Sequence, residues 1–303
     1  MLNVKSALLS ASSAVAIAVL LGLSAPGARA ADVGAEVCQP LAGTVHTGYI
    51  FGELDVDVFD VTQDYETFFG EGAALYHFCD TNLNVQGDYA FYSHQFDVDA
   101  PFEFANDRWH AGGILFWRDQ DVGVLGLDTS FINDDFFGKN NETWRIGVRG
   151  EYFGGDVFTF GAGAGYLNGE WFGKDLDGFD LNAWGRLYPT ENIGLLARVD
   201  YNSADIEFGS SDVNFEQLAF TAEGEYLLPN IPMSIFAGAR YAERENLGKG
   251  FEFTDTQVYL GLSVYFGSDG NGGSLASHHR NNTLDNTNVI LEKLPSSFVG
   301  RAG

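Results

Sequence analysis

The segment from Thr256 to Phe266 (TQVYLGLSVYF) puts Val258, Leu260, Leu262, Val264 and Phe266 on one face and Gln257, Tyr259, Gly261, Ser263 and Tyr265 on the other. Successive side chains of a β-strand point to opposite faces, whereas a helix would scatter this pattern around its axis. Thr256–Phe266 is therefore read as a strand with two different environments on its two sides. Its apolar face packs either on a protein core or on lipid, and the rest of the chain decides between the two.

Residues 1–30 carry Lys5, an apolar run from Ala7 to Leu23, Pro26, and the small-x-small site Ala28-Arg29-Ala30. This is the layout of a secretory signal peptide, with maturation expected at Ala31 and a short periplasmic lead over 31–42. The run is close to spanning length, so an uncleaved anchor is the alternative. No other stretch approaches the length of a membrane helix. Gly is abundant at 38 residues, aromatics reach 15%, and no long segment sustains helical periodicity, all of which suits an all-β chain. The net charge of -26 excludes ordinary nucleic-acid binding, which needs a basic surface.

Twelve strands are expected, near residues 43–53, 69–79, 83–96, 108–118, 122–131, 142–153, 156–167, 178–188, 192–205, 215–228, 232–244 and 254–266. The connections alternate: short ones after every even strand (DTN, DQD, GG, YPTE, PNI), longer polar ones after every odd strand. That sorting, with a last strand that alternates and closes on an aromatic, resembles the Gram-negative outer-membrane β-barrels, porins included. The resemblance implies an all-β fold: a twelve-stranded antiparallel up-and-down transmembrane β-barrel over 43–266, with short periplasmic turns and longer extracellular loops. It also implies outer-membrane lipid and lipopolysaccharide as surroundings, and the barrel-assembly machinery as a partner. The chain departs from that pattern in continuing past Phe266 through a Gly-rich stretch (GSDGNGGS), so 267–303 is read as a flexible periplasmic tail, with docking on the barrel mouth or on cell-wall material as the alternative.

Aromatics recur eight residues apart on one face of several strands: Trp109/Trp117, Trp144/Tyr152 and Phe158/Tyr166, with Val258/Phe266 at the same spacing. At about 3.3 Å per residue and a tilt of about 40°, that is roughly 20 Å along the membrane normal, close to the apolar band between aromatic girdles. Tyr201, Tyr226 and Tyr241 are assigned to the same girdles. The opposite faces are ionic, with Arg108, Arg118, Arg145, Arg149, Arg186, Arg198 and Arg240 set against Asp88, Asp128, Glu151, Asp180, Asp200, Glu223 and Glu225. Such residues either line a water-filled pore or pair into a network that fills a narrow barrel. Twelve strands fall between filled eight-stranded barrels and open porins of sixteen to eighteen.

Glu53, Asp55, Asp57, Asp60, Asp64 and Glu66 crowd the first outer loop. Asp55, Asp57 and Glu66 match three positions of a calcium loop, but Phe59 and Asp60 stand where that motif needs an oxygen ligand and Gly, so no metal site is assigned. The run GAGAG (161–165) lies inside a strand, where small residues allow close packing, and not before a helix where a phosphate could bind. Catalytic signatures and cofactor motifs are absent. A lipid-modifying barrel would need a Ser and His pair on the lipid-facing wall, and His46, His77, His94 and His110 offer no such partner. The expected function is passive diffusion of small hydrophilic solutes through a porin-like channel. The alternative is a non-conducting structural or surface-interaction barrel, and a lipid-modifying enzyme comes third. Oligomeric state is not legible.

Cys38 precedes the first strand and Cys79 ends the second, so an up-down barrel places both at the periplasmic rim of neighbouring strands, in an oxidising compartment. A Cys38–Cys79 disulfide is expected. Mass spectrometry of non-reduced peptides should find the two cysteines linked; recovery of both as alkylated thiols would reject the bond.

Overall fold

In a computed structural model, residues 41–56, 61–79, 81–96, 105–136, 139–171, 173–208, 211–246, 251–267 and 273–284 are described. The proposed signal peptide, the lead over 31–40 and Cys38 lie outside them. Twelve antiparallel strands follow one another around a closed barrel: β1 (Leu41–Val56), β2 (Val61–His77), β3 (Leu83–Phe96), β4 (Ala105–Asp119), β5 (Gly123–Phe136), β6 (Lys139–Gly154), β7 (Phe158–Trp171), β8 (Lys174–Thr190), β9 (Ile193–Phe208), β10 (Ser211–Leu227), β11 (Met233–Asn246) and β12 (Phe251–Phe266). The first and last strands close the ring, in register from Gly43↔Phe266 to Val56↔Phe253. No described helix is long and apolar enough to cross a membrane. Closure is what allows strands to do so, because it leaves no unpaired backbone edge in lipid.

The outward face carries the apolar belt. Leu125, Leu127, Ile146, Val148, Val258, Leu260 and Leu262 are all exposed. Flanking them, Trp109, Trp117, Trp144, Tyr152, Phe158, Tyr166, Tyr201, Tyr226, Tyr241 and Phe266 all stand on outward positions of their strands. At one level Tyr89, Trp109, Phe131 and Trp144 form a continuous chain of rings with centroids 6.5, 5.2 and 4.6 Å apart. At the other level Tyr152 lies 6.2 Å from Phe158. A soluble protein would bury this surface. Here lipid covers it, and the short-turn end is the periplasmic, inner mouth.

All strands but β3 are longer than the sequence reading made them. They run 14 to 17 residues, against the 9–11 needed to cross. Their outer ends continue as hairpins above the belt: β1 reaches Val56 and β2 starts at Val61, so most of the first acidic loop is strand. Asp55 and Glu66 sit in ladder positions opposite Thr62 and Phe51, and Asp55 accepts a 2.6 Å hydrogen bond from Thr62. Two of the three matching positions are thus strand residues, while Asp57, Phe59 and Asp60 lie outside the described residues. The polar outward faces of these extensions, with Glu142, Glu170, Asp175, Asp177, Glu243, Glu245 and Glu252, suit strands that have left the membrane.

A second departure concerns the tail. Within the stretch read as a flexible tail, residues 273–284 form an ordered segment around a short helix, α1 (Leu275–Asn281), capped by Ser274 and lodged in the inner mouth. Two leucines bury there, which outweighs the linker-like composition preceding them.

Leu127 pairs with Val148, midway between the girdle residues Trp144 and Tyr152. Leu127→Arg should lower stability by about 2–4 kcal/mol, the cost of a guanidinium at the bilayer midplane. Urea titration of refolding into lipid vesicles measures this; an unchanged midpoint would remove Leu127 from the lipid face.

Candidate functional site in the barrel lumen

Alternation fixes what the lumen contains. Because Trp144, Ile146 and Val148 face lipid, Arg145, Gly147 and Arg149 must face inward, and every strand obeys the same parity. Arg108, Arg118, Arg145, Arg149, Glu151, Asp180, Arg186, Arg198, Asp200, Glu223, Glu225 and Arg240 all stand on the inward face, together with Asp88 and Asp128. Sequence reasoning missed Glu71, Asp134, Arg244 and Asp255. Parity alone would have found Glu71, Arg244 and Asp255; Asp134 lies beyond the expected end of its strand at 131.

The charges pair along the wall. Arg145 on β6 binds Asp180 on β8 through two parallel hydrogen bonds of 2.6 and 2.9 Å and also contacts Asp128 on β5. Arg108 donates to Asp134 at 2.7 Å, Arg149 to Glu151 at 2.8 Å, and Arg198 to Asp200 at 2.6 Å. Each of these guanidiniums is paired with a carboxylate on its own strand or one at most two strands away. Arg serves better than Lys here because its planar fork keeps its charge and grips a carboxylate at two points. Trp184 lies between two of these cations, with the Arg149 and Arg198 guanidiniums 5.3 and 5.9 Å from its ring. Near the outer mouth Asp255 accepts from Tyr65 and Gln257, each at 2.7 Å, with Arg240 at 3.8 Å.

The GAGAG run explains how such large groups fit. Its glycines face inward and its alanines outward: a Cβ on Gly165 would lie 2.5 Å from both Arg145 Nε and Asp180 Oδ1, and one on Gly161 would meet the Trp184 ring at 2.2 Å. The bare inner face of β7 is the floor on which the Arg145–Asp180 pair and Trp184 lie. The opposite side of the lumen, on β1–β3, β11 and β12, is lined instead by Ile50, Phe69, Tyr92, Phe236 and Tyr259. Tyrosines there point hydroxyls at carboxylates, Tyr92 to Glu71 and Tyr259 to Glu223 at 3.0 Å.

At the inner mouth the segment 273–284 spans the ring. Leu275 packs with Tyr188, Leu227 and Tyr265, and Leu284 with Ala42, Leu75, Phe116 and Phe153. His279 lies between the two, its Nε2 3.0 Å from Glu225 and its Nδ1 2.9 Å from Arg186 Nη1. A guanidinium can only donate, so Nδ1 accepts and Nε2 carries the proton toward Glu225. Arg280 donates to the Phe158 carbonyl at 2.9 Å and stacks 4.9 Å over the Phe153 ring. A cavity of about 20 Å³, the space of one water, remains beside Glu151, Trp184, Arg186 and His279.

The histidines His46, His94 and His110 face inward, bonded to Ser263 at 2.8 Å, Thr67 at 2.7 Å and Asp88 at 3.2 Å.

No protein-family model matches the chain, and no curated protein is detectably similar to it in sequence. Its fold is similar to that of an outer membrane channel from Pseudomonas putida F1, 11% identical over 80% of this chain and 99% of that one, with a TM-score of 0.55. It is also similar to the beta domain of the Bordetella autotransporter BrkA, 9% identical over 74% of this chain and all of that one (100%), with a TM-score of 0.50. At these identities the likeness is one of fold. Joined to the lipid-facing belt, it makes the protein an outer-membrane β-barrel.

Arg145→Ala should destabilise the barrel by about 3–5 kcal/mol, because Asp128 and Asp180 lose the cation they share. Gly165→Ala, which overfills the same spot without removing a charge, should lower stability by about 1–3 kcal/mol. Denaturant midpoints of the folded, heat-modifiable band report both; a neutral Arg145→Ala would mean that the pair is solvated and contributes nothing.

Proposed function

We propose that the protein is an outer-membrane channel of porin type that passes small hydrophilic solutes, and that the conformation described is its closed state. The observation that carries this reading is the direction of the ion pairs. The pairs between strand residues described above each lie within one strand or between strands at most two apart, so they run along the wall and give the lumen a charged, water-compatible lining. The amides of Asn182 and Asn202, buried in the same wall, have no hydrogen-bond partner among the described residues; groups of this kind are met by water. The inward histidines support a channel over a lipid-modifying enzyme, which would set its Ser and His on the lipid-facing wall.

One observation favours a second reading, a non-conducting structural or surface-interaction barrel. Arg149 and Arg240 are 2% exposed and Tyr92 is fully buried, so the wall side chains pack tightly in this state. On either reading the partners are outer-membrane lipid and lipopolysaccharide around the acidic hairpins. The assembly machinery would recognise the strand ending at Phe266, and the leader over 1–30 would direct export.

Reconstitution of the full-length protein in planar bilayers decides between them. Discrete openings are expected, and Arg198→Gln, which removes one wall cation while keeping a donor beside Asp200, should shift the reversal potential toward cation preference. A full-length barrel silent at all applied voltages, with no solute entry in liposome swelling, would assign it to the second reading.

A further inference from the structure

The inner mouth is built as a socket for a peptide. Two apolar pockets lie across the ring from each other. One, on β8, β10 and β12, holds Leu275, which is fully buried; the other, on β1, β2, β4 and β6, holds Leu284 at 4% exposure. Between and beside them the wall offers groups that read main chain. The Gln86 side-chain amide accepts from the Leu284 N–H at 2.8 Å and donates to the Leu284 carbonyl at 3.0 Å. Arg118 donates to the Asn282 carbonyl at 2.7 Å, and the Glu191 carbonyl accepts from the Leu275 N–H at 2.7 Å. Main-chain clamps with side-chain pockets at intervals are how a protein surface recognises a peptide.

We infer that this mouth is a peptide-binding site whose ligand is the chain's own segment 273–284, and that departure of the segment opens the channel. The inference rests on the channel reading above. Three features make the segment removable. It belongs to no strand ladder, and the ring is closed by β1 and β12 without it, so it can leave with every barrel hydrogen bond intact. Its hold is made of side-chain contacts and single hydrogen bonds, with two leucines, His279 on Glu225 and Arg280 over Phe153 as the anchors. Its helix has seven residues, too few to persist alone in water, so the socket gives it its shape and release is a transition from order to disorder.

Two full-length variants test this. In Thr44→Cys/Thr283→Cys the new thiols replace hydroxyls whose oxygens lie 2.8 Å apart, so oxidation should pin the segment to β1. In Leu275→Asp/Leu284→Asp both anchors become charged. Conductance is one readout. The other, independent of transport, is the rate at which a membrane-impermeant maleimide labels a single Thr283→Cys. The anchor variant should raise both labelling and open fraction roughly tenfold or more. The oxidised pair should not conduct and should recover on reduction, while the parent is unchanged by the same reductant.

The two ways of failing are distinguishable. Faster labelling with no conductance in any variant would leave the segment removable and overturn the channel reading, and the gate with it. Conductance equal in the oxidised and reduced pair would overturn the gate and leave the channel. Labelling unaffected by the loss of both leucines, in a variant whose heat-modifiable band shows a folded barrel, would make the segment a fixed part of the wall and overturn the peptide site.

Discussion

Backbone amides cannot go unpaired in lipid, and almost everything else in this molecule follows from that requirement. A sheet that crosses a membrane must close on itself. Closure forces each strand to show one face to hydrocarbon and the other to the lumen, residue by residue. Leu260 faces lipid because Tyr259 and Gly261 face inward, and Arg145 is buried because Trp144 and Ile146 face out. The girdle and the charged lumen are therefore two readings of one alternation.

The lumen solves a second problem, how to hold many ionisable groups inside a narrow ring. Guanidiniums on β4, β6, β9 and β11 are each matched by a carboxylate on their own or a nearby strand. Room for them comes from glycine: the inward positions 161, 163 and 165 of β7 carry no side chain, so Trp184, Asn182 and the Arg145–Asp180 pair can lie against backbone. A stretch that looks like low-complexity filler is what sets the depth of the wall. On β1–β3, β11 and β12 an apolar and tyrosine-rich patch joins the ionic groups and faces the glycine floor of β7.

What was legible in the sequence was whatever alternation encodes: the number of strands, their order, and the inward and outward faces. Trp144, Tyr152, Arg145 and Arg149 could be placed from parity alone. What was not legible depended on environment beyond the membrane. Asp55, Asp64 and Glu66 look like loop residues because they are charged, yet a hairpin standing in water can be polar on its faces and still pair its backbone. Short-range pattern also hid the role of residues 273–284. Leu275 and Leu284 are two leucines in a polar tail, and their significance comes from pockets assembled by strands more than two hundred residues away in the case of Ala42 and Leu75. Gln86, which reads Leu284 through both ends of its amide, carries no signal of its own.

The placement of those pockets also sets an order of events in time. Leu284 needs Ala42 of β1 and Leu75 of β2, and Leu275 needs Tyr265 of β12. The socket is incomplete until the first strand meets the last. During biogenesis the segment therefore has only the Leu275 half of its socket within reach while the seam between β1 and β12 is open, and its full seating comes after the seam has zipped. Its arrival is a chemical record that the ring has been completed, written on the periplasmic side by the last described part of the chain to find its place.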